Sequence, residues 1–134
     1  MARPTPPPGV SFHKYALGST LEALTNEQFK SLPQLYDICK ARGIIDILKM
    51  DIEGSEYAAL LEQEVLQFLR HNVRQLLIEV HFQTARRAVE LAEALRDAGF
   101  RTFSVEPNVI GCLNGECVEF SLLNINLLEP HDNQ

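Results

Sequence analysis

Two strand-like runs constrain this chain more than anything else in it: IIDILKMDI at residues 44–52 and QLLIEVHF at 75–82. Both are mostly apolar and short, and the first is rich in β-branched residues, which predicts strands covered on both faces. Between them, SEYAALLEQEVLQFLR repeats Tyr57, Leu61, Val65, Phe68 and Leu69 at helical spacing, with Ser55 placed to cap the first turn. ARRAVELAEALRDAG then predicts a helix with the apolar face Ala88, Leu91, Ala92 and Leu95, stopped by Gly99. FRTFSVEP and CVEFSLLNIN read as two closing strands joined by a Gly-Cys-Leu-Asn-Gly turn segment. Strands that alternate with helices imply a mostly parallel sheet built from right-handed crossovers, and the short final connection adds one antiparallel strand. The fold class is α/β, with an open sheet.

Upstream of this unit the pattern is weaker. SFHKYALG (11–18) alternates Phe12, Lys14 and Ala16 with His13, Tyr15 and Leu17 and predicts a short strand. Thr25 and Gln28 are spaced as a capping box that would open a short helix. Pro33 starts a second helix with the face Leu32, Leu35, Tyr36 and Cys39, ended by Gly43. Residues 1–10, with four prolines, predict a disordered lead-in; residues 11–128 form the domain and 129–134 a tail. There is no internal repeat.

At 134 residues the chain suffices for one domain, and 46% hydrophobic residues is ordinary for a protein with a real core. Net charge is −6, and no basic run is longer than Arg86-Arg87, which argues against nucleic acid as a partner. No stretch approaches the ~20 apolar residues of a membrane span. The proline-rich start lacks the apolar segment of a signal peptide, so the sequence assigns no location. Of the three cysteines, Cys39 reads as core. Cys112 and Cys117 flank LNGE, a hairpin-turn sequence that would allow them to face each other across two strands; free thiols are favoured over a disulfide, which would need an oxidising compartment.

In open α/β sheets, ligands bind beyond the carboxyl ends of the strands. Asp51 and Glu53 follow one predicted strand, Glu79 and His81 end the next, and Glu106 and Asn108 end the one after. Each pair is spaced by two and so points to one side of its strand. Gathering like charges on one rim adds little stability, so a functional rim is favoured over solvated strand ends and helix caps. Glu56 by itself reads as an acid in a first helical turn, where the helix dipole favours it. His81 is a candidate base or ligand, and a two-carboxylate, one-histidine metal site from Asp51, Glu79 and His81 is conceivable. His13, His71 and His131 read as incidental.

Taken together and in order, IDILKMDIEGSEYAAL, LLIEVHF, EPN and VEFSLLNIN resemble the C-terminal half of FkbM-type and related S-adenosylmethionine-dependent methyltransferase domains. KMDIEGSE is the most specific part, and the resemblance covers about residues 11–128. It implies a partial Rossmann-like class I sheet with a reversed final strand, S-adenosyl-L-methionine as methyl donor and a small-molecule or glycan-like acceptor, most often a hydroxyl. Carried over by residue, it places Asp51, Glu53, Glu79 and His81 at the catalytic rim and Leu17, Gly18 and Asp51 near the donor.

The resemblance also implies elements that this sequence does not show. The seven glycines stand apart and none makes a G-x-G loop for the donor, nor is there an acid after a second strand to hold the ribose. The expectation is a domain that lacks the first two strands of its sheet and binds the donor poorly on its own. It also exposes an open edge at residues 44–50 through which chains self-associate. A non-catalytic interaction module and, less favoured, a metal-dependent hydrolase are the alternatives.

Overall fold

The computed structural model describes residues 5–112 and 116–128. The remainder of the predicted lead-in, the predicted tail and His131 lie outside the described residues. A small parallel two-stranded sheet comes first, made by β1 (Ala16–Leu17) and β2 (Phe29–Lys30) around helix α1 (Thr20–Thr25). Helix α2 (Leu32–Ile38) leads to the main sheet, which is built from β3 (Ile45–Met50), β4 (Val73–His81), β5 (Phe100–Pro107) and β6 (Cys117–Asn124). Helices α3 (Glu56–Leu60) and α4 (Gln63–Asn72) cross from β3 to β4, and α5 (Ala85–Asp97) crosses from β4 to β5.

The strand order is β3-β4-β6-β5. β3 pairs with β4 in parallel, while β6 inserts antiparallel between β4 and β5. The sheet is therefore mixed: β6 alone runs against the other three, but two of the three pairings are antiparallel. A short turn cannot return a chain parallel to its partner, so the last strand enters reversed.

The core occupies one face of this sheet. Leu76, Ile78 and Val80 alternate along β4 and meet Leu60, Val65 and Leu69 from α3 and α4, Leu91 and Leu95 from α5, and Phe100 and Leu122 from the neighbouring strands. Each such side chain contributes roughly 1.5–3 kcal/mol by leaving water. The intervening residues Leu77, Glu79 and His81 must then face the other way, and that parity puts the ionisable pair on the side away from the helical layer. An apolar cleft of about 470 Å³, lined by Val80, Phe82, Leu91 and Phe100 among others, opens beneath α5 on the helical side. It is separated by the sheet from the acidic rim.

Several sequence expectations give way here. The strand at 11–18 shrinks to two residues, which pair with β2. The first capping box is Ser19 with Glu22, whereas Thr25 ends that helix; Ser19 stands immediately before a helical run and Thr25 before a turn. The second helix stops at Ile38, short of Gly43, and this leaves Cys39 an exposed free thiol at its end, not a core residue. The single helix expected after Ser55 is two, broken where Glu62 becomes extended and its carboxylate accepts hydrogen bonds from the Thr20 amide (2.8 Å) and hydroxyl. β3 is an edge strand with Ile47 59% exposed, not a strand covered on both faces. Cys112 and Cys117 form a disulfide, against the favoured free thiols, because the two Cα atoms lie 5.8 Å apart, within the span a disulfide bridges.

Candidate active site

The turn after β3 sets the site. Glu53 has φ +53° and Gly54 φ +96°, so two successive left-handed residues fold the chain back sharply. This delivers Glu56 to the start of α3, where its side chain is fully buried. Glu56 Oε1 accepts the Gly54 amide at 3.1 Å, and the Gly54 carbonyl accepts Gln83 Nε2 at 2.9 Å, which locks the turn to the segment after β4.

His81, at the carboxyl end of β4, is the hub. Its Nδ1 lies 3.2 Å from Glu56 Oε1, and its Nε2 lies 3.3 Å from Glu53 Oε2 and 3.6 Å from Glu79 Oε1. Glu79 is 5% exposed, and its second oxygen accepts Asn108 Nδ2 at 3.1 Å. Asp51 is exposed, yet one oxygen each from Asp51 and Glu53 and one nitrogen of His81 lie within 4.8 Å of one another. Among the described residues that set, not Asp51 with Glu79 and His81, is the two-carboxylate, one-histidine group whose atoms are close enough to share a cation.

Across the sheet, Glu79, Glu119 and Glu106 stand in register on β4, β6 and β5. Lys49 pairs with Glu119 at 2.8 Å, and that contact is the leading cause of a raised Lys49 pKa. A polar concavity of about 250 Å³, lined by Glu106, Pro107, Asn108 and Glu119, continues the rim beside Glu79. Beneath Glu56, Tyr57 is buried and its pKa is raised, chiefly by that burial.

Of the residues selected from sequence, Asp51, Glu53, Glu79 and His81 converge. Leu17 and Gly18 lie in the small N-terminal sheet, where the Gly18 amide donates to the Lys30 carbonyl and a Cβ on Gly18 would sit 2.6 Å from Phe29. Two residues of the site were undervalued. Glu56 is bonded to His81 and not a solvated helix-end acid, and Asn108 orients Glu79. Their signal was spacing: Glu56 is three residues past Glu53 across a glycine, and Asn108 follows Glu106 by two.

The described helices include none long and apolar enough to cross a membrane. The family model described as "Methyltransferase FkbM domain" matches residues 9–102, well over half of the chain. The chain belongs to the FkbM methyltransferase domain family. No curated protein and no solved structure matches it. In this FkbM domain the family match takes in β1 to α5 and the start of β5, while β6, which pairs with both β4 and β5, completes the sheet beyond it. His81 and its three glutamates fall inside the matched stretch.

Proposed function

We propose that this FkbM domain carries the acceptor side of an S-adenosylmethionine-dependent O-methyltransferase, with His81 as the general base. The single observation behind this reading is the buried Glu56 carboxylate 3.2 Å from His81 Nδ1. A carboxylate on Nδ1 favours the tautomer with hydrogen on that nitrogen, which leaves the Nε2 lone pair directed at the rim. Nε2 can then take the proton of an acceptor hydroxyl as its oxygen attacks.

When bound, the donor supplies an electrophilic methyl group on a sulfonium, which leaves as the neutral sulfide. The exposed carboxylates of Asp51 and Glu53 suit a cation of that kind. Leu17 and Gly18 are the other residues placed near the donor, without a glycine loop beside them. Glu53 and Glu79 flank Nε2 and would hold the acceptor hydroxyl and the imidazolium that forms. Glu56 positions the ring and does not touch substrate.

A metal-dependent hydrolase working from Asp51, Glu53 and His81 is the weaker reading, because family membership favours transfer. The test is methyl transfer from labelled donor to a panel of hydroxylated acceptors. His81→Gln is expected to lower turnover by about 10²–10⁴-fold, the usual worth of a general base. Unchanged turnover in His81→Gln with an intact fold would remove His81 from the mechanism.

A further inference from the structure

The Cys112–Cys117 disulfide lies against the same rim, and the mechanism above does not use it. Cys117 is fully buried and sits opposite His81 in the β4–β6 register. One donor atom from each of Glu79, His81, Cys112 and Cys117 lies within 4.8 Å of the other three. We propose that reduction of this disulfide converts the four side chains into a zinc-type metal site.

Three observations support a built site. The donors are a tetrahedral zinc set by type: two thiolates, one imidazole and one carboxylate. Two of them are already held by outer partners, as metal ligands usually are. His81 Nδ1 faces the Glu56 carboxylate at 3.2 Å, which directs Nε2 inward, and Glu79 Oε2 accepts Asn108 Nδ2 at 3.1 Å, which leaves Oε1 toward His81. Finally, Glu79 and Cys117 are buried and His81 and Cys112 half-buried, so a bound cation would offset the repulsion of gathered anionic ligands.

The chemistry balances with a dithiol as reductant. It gives two electrons and two protons to the disulfide, which yields two cysteine thiols and the oxidised, cyclic disulfide of the reductant. Zinc then displaces the two thiol protons to solvent. Soft thiolate donors select zinc or copper(I) over magnesium or calcium. A consequence follows if the methyl-transfer reading holds: a metal on His81 occupies the lone pair that would accept the acceptor's proton, so the reduced, zinc-loaded chain is silent. Metal binding itself does not depend on that reading.

The experiment uses the whole chain in a Cys39→Ser background, so that no other thiol binds metal. Oxidised and dithiothreitol-reduced protein are each exposed to zinc, desalted and measured by elemental analysis, then reloaded with cobalt(II) for spectroscopy. The expected result is about one zinc per reduced chain and none on the oxidised chain, with the thiolate-to-cobalt absorption of a tetrahedral site. Asn108→Ala is expected to weaken zinc binding about tenfold by freeing Glu79, and His81→Ala to weaken it further. Equal zinc in the oxidised and reduced chains overturns the proposal. So does zinc affinity in the reduced chain that is unchanged by both His81→Ala and Glu79→Gln, since the metal would then be held by the two cysteines without the rim.

Discussion

Removing the Glu56 carboxylate would leave His81 Nδ1 without the acceptor that lies 3.2 Å away, and the Gly54 amide without its own at 3.1 Å. Glu56→Gln keeps a carbonyl oxygen for both donors and puts its amide nitrogen in place of the fully buried Oε2, which makes no hydrogen bond. Glu56→Leu keeps approximate volume and removes both acceptors. Nitrogen-15 spectra of His81 should therefore show hydrogen on Nδ1 in the native chain and a mixture of tautomers in Glu56→Leu, with Glu56→Gln close to native. An unchanged tautomer in Glu56→Leu would mean that the ring is oriented by something else. This residue marks where the sequence was least legible. An acid in a first helical turn is ordinarily solvated, and the spacing of Glu56 from Glu53 across Gly54 does not by itself reveal that a left-handed turn there will bury it. Asp51, Glu53, Glu79 and His81 were legible because their positions follow from strand parity and from the rule that ligands collect at carboxyl ends of strands.

Helix ends in this protein are finished by side chains, and two of them give measurable predictions. Asn124, fully buried at the end of β6, donates to the carbonyls of Leu69 (3.3 Å), Arg70 (2.9 Å) and Val73 (2.9 Å), which terminates α4. Asn124→Leu removes all three donated bonds, two of them buried, although the Leu69 carbonyl keeps the Val73 amide, and is expected to cost on the order of 3 kcal/mol, read as a lower midpoint in urea. At α1, Ser19 and Glu22 cap reciprocally, and the Ser19 amide bonded to Glu22 at 2.8 Å is the first cause of a lowered Glu22 pKa. A depressed carboxylate stabilises the fold above its unfolded pKa and loses that contribution as pH falls through the folded value. Ser19→Ala should cost about 1 kcal/mol at neutral pH. Alanine keeps the amide bonded to Glu22 and loses only the hydroxyl bond to it, so the gap from the native chain should narrow modestly below about pH 4, as Glu22 protonates in both; a constant gap would show that the Ser19 hydroxyl adds nothing to the charged carboxylate. The strands at 73–81, 100–107 and 117–124 were readable as runs, whereas the Ser19 cap and the α3–α4 break were not, since the break depends on Thr20, 42 residues away from Glu62.

At the scale of the whole molecule, the open side of β3 is the feature with the largest consequence. The sheet has two edges, β3 and β5, and they are protected unequally. β5 carries a register shift between Thr102 and Ser104 and ends on Pro107, both of which discourage a further strand. β3 has neither device. Its apolar content was plain in the sequence, but apolar content alone does not reveal which neighbours a strand has, so the same run that predicted a buried strand forms a rim of Ile44 (39% exposed) and Ile47 (59% exposed). Among the described residues β1 does not close this edge, because it pairs with β2 instead. Asp46 is turned toward Arg74 on the adjacent β4, and Lys49 reaches across β4 to Glu119 on β6, which reduces their value as edge charges. The expected outcome is association of two chains along β3, visible as a sedimentation coefficient that rises with concentration. Ile47→Lys places a charge on that edge without touching the core and should restore a monomer at the same concentrations, with its thermal midpoint close to native. Salt should partly restore association in Ile47→Lys by screening the new charges. Concentration-independent monomer in the native chain would mean that β3 is covered after all, and slow amide exchange along residues 45–50 would then locate the cover.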